Sequence, residues 1–317
     1  MIPPSRILVC DHRGGHLEET LQGLEGLGFL LDRSGSLRES LERMGSEPPD
    51  AILLDPLSPR GSAELAALER ARVPGPNGGQ RPPSPLLVLV ETGDIEAALR
   101  TARVLEAGLW DVVPRAAKAE EIGLRLRRLL DLKQASLEMD ELRHRASHDD
   151  RTDLLRPKAF QARIVEHFSA AQRHHHELAL VLLDLDRFGA INKRHDHTVG
   201  DELITRVGEA IRRSLRVEDV AGRLGGDEFA VLLPYTGPLN ASLVVNRLST
   251  EIKKLSGRIG RANEEVQVSA SIGFETYSGQ GKDLESLDTL RAHAERALRV
   301  AKQRGGDQGV YFRSLGE

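Results

Sequence analysis

Arg223-Leu-Gly-Gly-Asp-Glu-Phe229, followed by Ala230-Val-Leu-Leu-Pro234, sets two glycines and two acids between short apolar runs. Val220 to Leu224 and Phe229 to Leu233 are each of strand length, so the glycines between them predict a hairpin turn. Glycine carries no Cβ, and the backbone at Gly225 and Gly226 can therefore come close to a ligand. Asp227 and Glu228 supply hard oxygens of the kind that hold Mg²⁺ against a nucleotide triphosphate. An acidic hairpin alone is more often a solvated turn. A second acidic site upstream changes that balance.

That site closes the apolar run Leu178-Ala-Leu-Val-Leu-Leu-Asp184-Leu-Asp186. Residues two apart in a strand point to one side, but the strand is expected to end here, which leaves the direction of Asp186 open. If the hairpin lies alongside, Asp184 and Asp227 come together. Like charges that close are costly without a cation, so a divalent metal is the expected resolution. Around these strands the spacing predicts helices over Asp201 to Leu215, Leu239 to Leu255 and Leu287 to Gln303, and strands near Val266 to Gly273 and Gly309 to Phe312. Hairpin-linked strands mixed with helices make this part α+β.

Further toward the amino terminus the pattern changes twice. From Ala119 to about His148 the sequence reads as one long charged helix. Leu132, Ala135, Met139, Leu142 and Ala146 fall on one seam by three-four spacing, as in an amphipathic connector or a parallel coiled-coil dimer stalk. Before it, Ile7 to Cys10, Ala51 to Leu54, Leu86 to Val90 and Trp110 to Val113 are strand-length apolar runs. They alternate with helical segments such as Leu17 to Leu27 and Ile95 to Ala107, which predicts a doubly wound α/β parallel sheet. The stretch from Val73 to Pro85 is too rich in Gly and Pro to be other than a loop. The expected division is 1–118, a stalk at 119–148, and 149–317.

Composition bounds the function. The 317 residues carry a formal charge of −4 and give no basic footprint, which argues against bulk nucleic-acid binding. One cysteine, Cys10, excludes a disulfide framework. There is no signal-peptide layout at Met1-Ile-Pro-Pro-Ser-Arg and no membrane-length apolar stretch. The expectation is a soluble cytoplasmic protein with neither a nucleic-acid nor a membrane partner. His174-His-His176 reads as a polar loop before a strand.

Asp184-Leu-Asp186-Arg-Phe188, Asn192, His197, Gly200-Asp201 and Gly225-Gly-Asp-Glu-Phe229 resemble, in order and spacing, the GGDEF diguanylate cyclase family. The likeness continues through Val268-Ser-Ala-Ser-Ile-Gly273 and Ala297-Leu-Arg-Val-Ala-Lys302, covering about residues 146 to 312. The resemblance implies a palm-like α+β domain of the nucleotide-cyclase type that joins two GTP into cyclic di-GMP with loss of two pyrophosphates. Two such domains face each other in a homodimer. In the family pattern Asp184, the carbonyl of Leu185 and Asp227 hold Mg²⁺ or Mn²⁺, and Gly225 and Gly226 admit the phosphates. Glu228 completes the acidic site. Phe188, Asn192, His197, Asp201 and Lys302 bind substrate. A carboxylate such as Asp201 can accept from the N1 and N2 donors of guanine, which adenine lacks, so GTP is expected over ATP.

Several positions depart from the pattern. Gly189 stands for the usual Lys after Phe188, and Lys193 for the usual Asp after Asn192. Gly305-Gly306-Asp307 stands for Gly-Arg-Asn, and a segment typically Asp-x-Leu-Thr-Gly-Leu reads Asp149-Asp-Arg-Thr152-Asp-Leu154. Weaker phosphate contacts predict a raised Michaelis constant. Arg216 and Asp219 resemble the family's Arg-x-x-Asp product-inhibition site, with Arg247 as its helper, and imply inhibition by cyclic di-GMP. The alternative is a weak or inactive domain that binds GTP or cyclic di-GMP as a regulator. The amino-terminal part resembles a response-regulator receiver, whose upstream partner would be a sensor histidine kinase. Asp55 sits where the phosphoacceptor belongs, with Pro59 following at the family distance, and Asp11 matches one acid of the metal pair. His12 and Arg115 replace its partner acid and the Lys, and Val90 stands near the place of the switch Ser/Thr, which Thr92 could fill if the loop is shifted.

Overall fold

The computed structural model describes residues 4–10, 17–34, 48–55, 84–91, 95–104, 107–195, 197–259, 264–280 and 286–316. It divides into two compact units, Met1–Leu142 and Arg143–Glu317.

In the first unit the strands β1 (Arg6–Cys10), β2 (Leu30–Ser34), β3 (Ala51–Leu54), β4 (Leu86–Val90) and β5 (Trp110–Pro114) form one parallel sheet in the order β2-β1-β3-β4-β5. This is a flavodoxin-like order. Alternating side chains leave opposite faces. Ile7, Val9, Leu53, Leu87 and Leu89 pack against α1 (Glu18–Gly26) and the start of α3 (Ala119–Ser147). Leu8, Cys10, Ile52, Leu54 and Val88 pack with Ala98 and Ala102 of α2 (Ile95–Val104). With both faces covered, the apolar runs are continuous rather than alternating. Strand β2 escaped the sequence reading because Leu30-Leu-Asp-Arg-Ser34 is an edge strand with little of its length buried. Helix α2 is described over Ile95–Val104, and residues 105 and 106 of the expected Ile95 to Ala107 helix lie outside the described residues.

Helix α3 begins with Ile122, Leu126 and Leu129 in the core of the first unit. Further along, Leu132, Ala135, Met139, Leu142 and Ala146 are all exposed.

In the second unit β6 (Leu178–Leu185), β7 (Val220–Gly225), β8 (Glu228–Pro234), β11 (Ala270–Tyr277) and β12 (Gly309–Tyr311) form a sheet in the order β12-β11-β6-β8-β7. Only the β11–β12 pairing is parallel. The odd residues of β6, Ala179 to Leu185, face a core shared with α6 (His197–Arg213) and α7 (Pro238–Lys253). The even residues Leu178, Leu180 and Leu182 face α4 (Pro157–His174) and α8 (Leu287–Gln303). Each such buried Leu side chain contributes roughly 1.5–3 kcal/mol. Alternation also decides the site, because Asp184 shares the even face with α8.

The run read as one strand near Val266 to Gly273 is two pieces. Glu264–Val266 (β10) pairs antiparallel with Gly257–Ile259 (β9), and the main-sheet strand starts only at Ala270. The interruption has a cause: Val268 N donates to Ser256 Oγ at 2.9 Å, and that hydroxyl donates back to the Val268 carbonyl at 3.2 Å. Both backbone groups are thereby withdrawn from the ladder.

Candidate active site

Gly225 and Glu228 close the β7–β8 ladder, leaving Gly226 and Asp227 as the loop. Gly226 has φ +50°, a conformation that glycine adopts without a Cβ penalty. A Cβ on Gly225 would meet nothing within 4 Å, so its glycine leaves open space rather than relieving a clash. Arg223 braces the loop from below. Its Nη2 donates to the Gly226 carbonyl at 2.8 Å, and its Nη1 to Asp149 at 3.0 Å.

The neighbouring strand brings the second acid alongside. Asp184 on β6 lies opposite Glu228 on β8, and Leu185 N donates to the Asp227 carbonyl at 3.3 Å. Asp184 is buried, whereas Glu228 is exposed and Asp227 lies between. Burial pushes the Asp184 carboxyl above its ordinary range. The ammonium of Lys302 opposes this, and Asp227 and Asp186 add to the rise. Lys302 reaches from α8 to within 2.6 Å of Asp184. An internal cation thus stands on the carboxylate that a metal ion would neutralise. Among the described residues no group of three or more His, Cys, Asp or Glu is disposed to hold a metal. Two carboxylates and the Leu185 carbonyl are nevertheless a set suited to Mg²⁺, which keeps waters and takes substrate phosphates as its remaining ligands.

Asp186, whose direction the sequence left open, is spent on architecture. It accepts from Ser269 Oγ and Ser271 Oγ, both at 2.7 Å, and from the Asp307 amide at 2.8 Å. Gly306 therefore cannot be treated as a simple loss of arginine. It has φ +78°, and a Cβ there would lie 2.6 Å from Asp186 Oδ1. Lys253 is tied to Asp307 at 2.9 Å.

The residues expected to read the base converge on α5 (Phe188–His195) and α6. A Cβ built on Gly200 would lie 1.8 Å from Asn192 Oδ1 and 3.3 Å from the Phe188 ring, which puts these three in one cluster. Asn192 Oδ1 is buried without a hydrogen-bond partner, an acceptor left over for a ligand donor. Asp201 follows one residue later and is paired with Arg151. His197 begins α6, but its side chain lies outside the described residues.

Arg216, Asp219 and Arg247 meet at a cavity of about 130 Å³. Asp219 accepts from the Arg216 amide at 2.9 Å, and Arg247 donates to the Ser214 carbonyl. Burial pushes the Asp219 carboxyl upward. In the first unit, Asp55 is buried just beyond β3, with Arg115 donating to it from just beyond β5. Asp11, His12, Pro59 and Thr92 lie outside the described residues.

Sequence reasoning missed the Arg151–Asp201 pair, the brace at Arg223 and the anchoring role of Asp186. Each joins residues 50 to 121 positions apart, so no local pattern announces it.

Among the described residues no helix is long and apolar enough to cross a membrane. A family model described as diguanylate cyclase, GGDEF domain, matches residues 146–308, just over half of the chain. The bifunctional diguanylate cyclase/cyclic di-GMP phosphodiesterase MucR of Pseudomonas aeruginosa is 33% identical over 174 residues, covering 55% of this chain and 24% of MucR. Diguanylate cyclase TpbB of Pseudomonas aeruginosa is 34% identical over 211 residues, covering 63% of this chain and 45% of TpbB. The chain thus spans less than half the length of these relatives. The crystal structure of the coiled coil and GGDEF domain of DgcB from Caulobacter crescentus in complex with c-di-GMP shares the fold. Its TM-score is 0.54 at 22% identity, covering 61% of this chain and 100% of that one. The matched stretch holds both the acidic hairpin and the strand beside it, and the chain belongs to the GGDEF diguanylate cyclase domain family.

Proposed function

We propose that the chain is a diguanylate cyclase that condenses two GTP into cyclic di-GMP and two pyrophosphates. The carrying observation is the placement of Asp184 beside the Gly225-Gly226-Asp227 hairpin, with open space above Gly225. Asp184, the Leu185 carbonyl and Asp227 would hold Mg²⁺ or Mn²⁺, which when bound supplies charge neutralisation of the triphosphate. Lys302 holds the Asp184 charge in the unloaded site and is free to turn toward phosphate. Asn192 and Asp201 accept from the guanine edge, with Phe188 packed beside them, and His197 lies in the same segment.

The 3′-oxygen of one GTP forms a bond to the α-phosphorus of the other. The bond to the β-phosphate oxygen breaks, pyrophosphate departs, and the hydroxyl proton passes to Glu228 or to solvent. Each domain supplies half of this arrangement, so the working form is a homodimer. The exposed seam from Leu132 to Ala146 is the surface suited to pair the two copies. Residues 1–118 act as a receiver-like control domain with Asp55 as acceptor of a phosphoryl group from a histidine kinase, 119–148 as the stalk, and 149–317 as the cyclase domain. Cyclic di-GMP bound at Arg216, Asp219 and Arg247 inhibits turnover.

Incubation with GTP and Mg²⁺, followed by chromatography, is expected to yield cyclic di-GMP, and Asp227→Ala to yield none. Binding of guanine nucleotide without product would leave the regulator reading instead. Beryllofluoride is expected to raise the rate through Asp55. Arg216→Ala is expected to relieve product inhibition, and unchanged inhibition would remove that site from the scheme.

A further inference from the structure

The carboxylate assigned to reading guanine is already engaged. Arg151 Nη1 donates to Asp201 Oδ1, and the two side chains are 50% and 46% exposed. The backbone on both sides of Arg151 is held by its neighbours' side chains. Asp149 accepts from Thr152 N at 3.0 Å and from Thr152 Oγ1 at 2.8 Å. Thr152 is buried against α6, where a Cβ on Gly208 would come within 2.6 Å of it. On the other side Asp153 accepts from Arg212 at 2.6 Å and contacts His144 Nε2 at 2.7 Å. The backbone is therefore pinned next to α6, and the guanidinium is confined near Asp201 at high local concentration. The family pattern has leucine at this position, which has no donor to offer.

We propose that Arg151 is a built-in competitor for the base, a specificity-tuning residue that guanine must displace from Asp201. The inference rests on the assignment of Asp201 to the base. Recognition of the guanine N1 and N2 donors uses both carboxylate oxygens, and Arg151 takes one of them. A half-exposed ion pair is a weak opponent, so the penalty on binding is about two- to fivefold. The penalty is also confined to guanine, because adenine does not present that donor pair.

The test is calorimetric titration of the full chain with the α,β-methylene analogue of GTP in Mg²⁺, which cannot release pyrophosphate. Arg151→Leu is expected to tighten binding about two- to fivefold, and Arg151→Gln, which keeps the length and loses the charge, to do the same. In an Asp201→Asn background neither substitution should change affinity. The corresponding ATP analogue should gain nothing. Unchanged or weaker binding in Arg151→Leu, with Asp201→Asn still lowering affinity, overturns the competitor and leaves the base subsite standing. If Asp201→Asn itself has no effect on the GTP analogue, the assignment of the base subsite fails and the competitor fails with it.

Discussion

Each unit ends a buried strand with an aspartate facing a cation, and the two pairs differ in kind. Asp55 and Arg115 are 2% and 15% exposed, whereas Asp184 and Lys302 are 11% and 45% exposed. Arginine is a planar fork that stays charged and holds fixed geometry, while lysine is a point charge on a flexible stem. The first pair lies almost wholly out of water. The second has one end in water. Its flexible stem would let Lys302 give way on Asp184 to the metal cation proposed there.

The largest effect expected is at the exchangeable pair. Asp184→Ala should lower cyclic di-GMP formation by roughly 10²–10³-fold or more, read by chromatography, with the circular dichroism of the chain preserved. Retained turnover would dissolve the contrast, because Asp184 would then not hold an exchangeable cation at all. Next comes stability. Arg115→Ala removes a guanidinium from the buried Asp55 carboxylate and should cost about 1.5–3 kcal/mol in the first unit. Lys302→Ala, with its half-exposed ammonium, should cost no more than about 1 kcal/mol. Urea titration of each variant checks the pair, and equal losses would break the comparison.

A smaller effect sharpens it with pH. Burial pushes the Asp149 carboxyl up, but hydrogen bonds from Thr152 and Arg223 outweigh it and hold the group below its ordinary range. A depressed folded-state value contributes stability that is present above the unfolded value and is lost as pH falls through the folded one. Asp149→Asn should therefore destabilise the second unit at pH 7 by about 2 kcal/mol. The difference from the parent should shrink below about pH 4. A melting difference that persists unchanged in acid would count against this ion pair. The smallest effect concerns phosphate contacts. Gly189 is exposed, with nothing within 4 Å of a built Cβ, so Gly189→Lys should lower KM for GTP a few-fold without strain. Gly306→Arg should bring no such gain, because it meets both a left-handed backbone and the Asp186 carboxylate. Similar improvement from both would show that Asp186 gives way more easily than its three hydrogen bonds suggest.

These contrasts mark how far the sequence could be read. The hairpin and the strand at Asp184 were legible because glycine, acid and apolar run are local signals whose meaning survives folding. Helix α8 was legible at both ends, since Ser286 caps it with an oxygen accepting from Thr289 N at 3.1 Å and its apolar face repeats cleanly. Helix α4 was passed over, although Pro157 at its start and Phe160, Ile164 and Phe168 at fourfold spacing carried the signal. Partners chosen by the tertiary fold had no such signature. Nothing near Arg151 says that it will meet Asp201, and two aspartates flanking Leu185 look alike until one faces Lys302 and the other takes up two serines and an amide.

That division of labour reaches the far end of the chain. Because Asp186 accepts from the Asp307 amide, and β12 just beyond lies parallel to β11, the segment from Asp307 to Tyr311 is fastened to the sheet that carries Asp184 instead of trailing from it. A chain cut after Gln303 would keep Asp184, Asp186, Asp227 and Glu228, yet it would lose the Asp307 amide that helps to anchor Asp186.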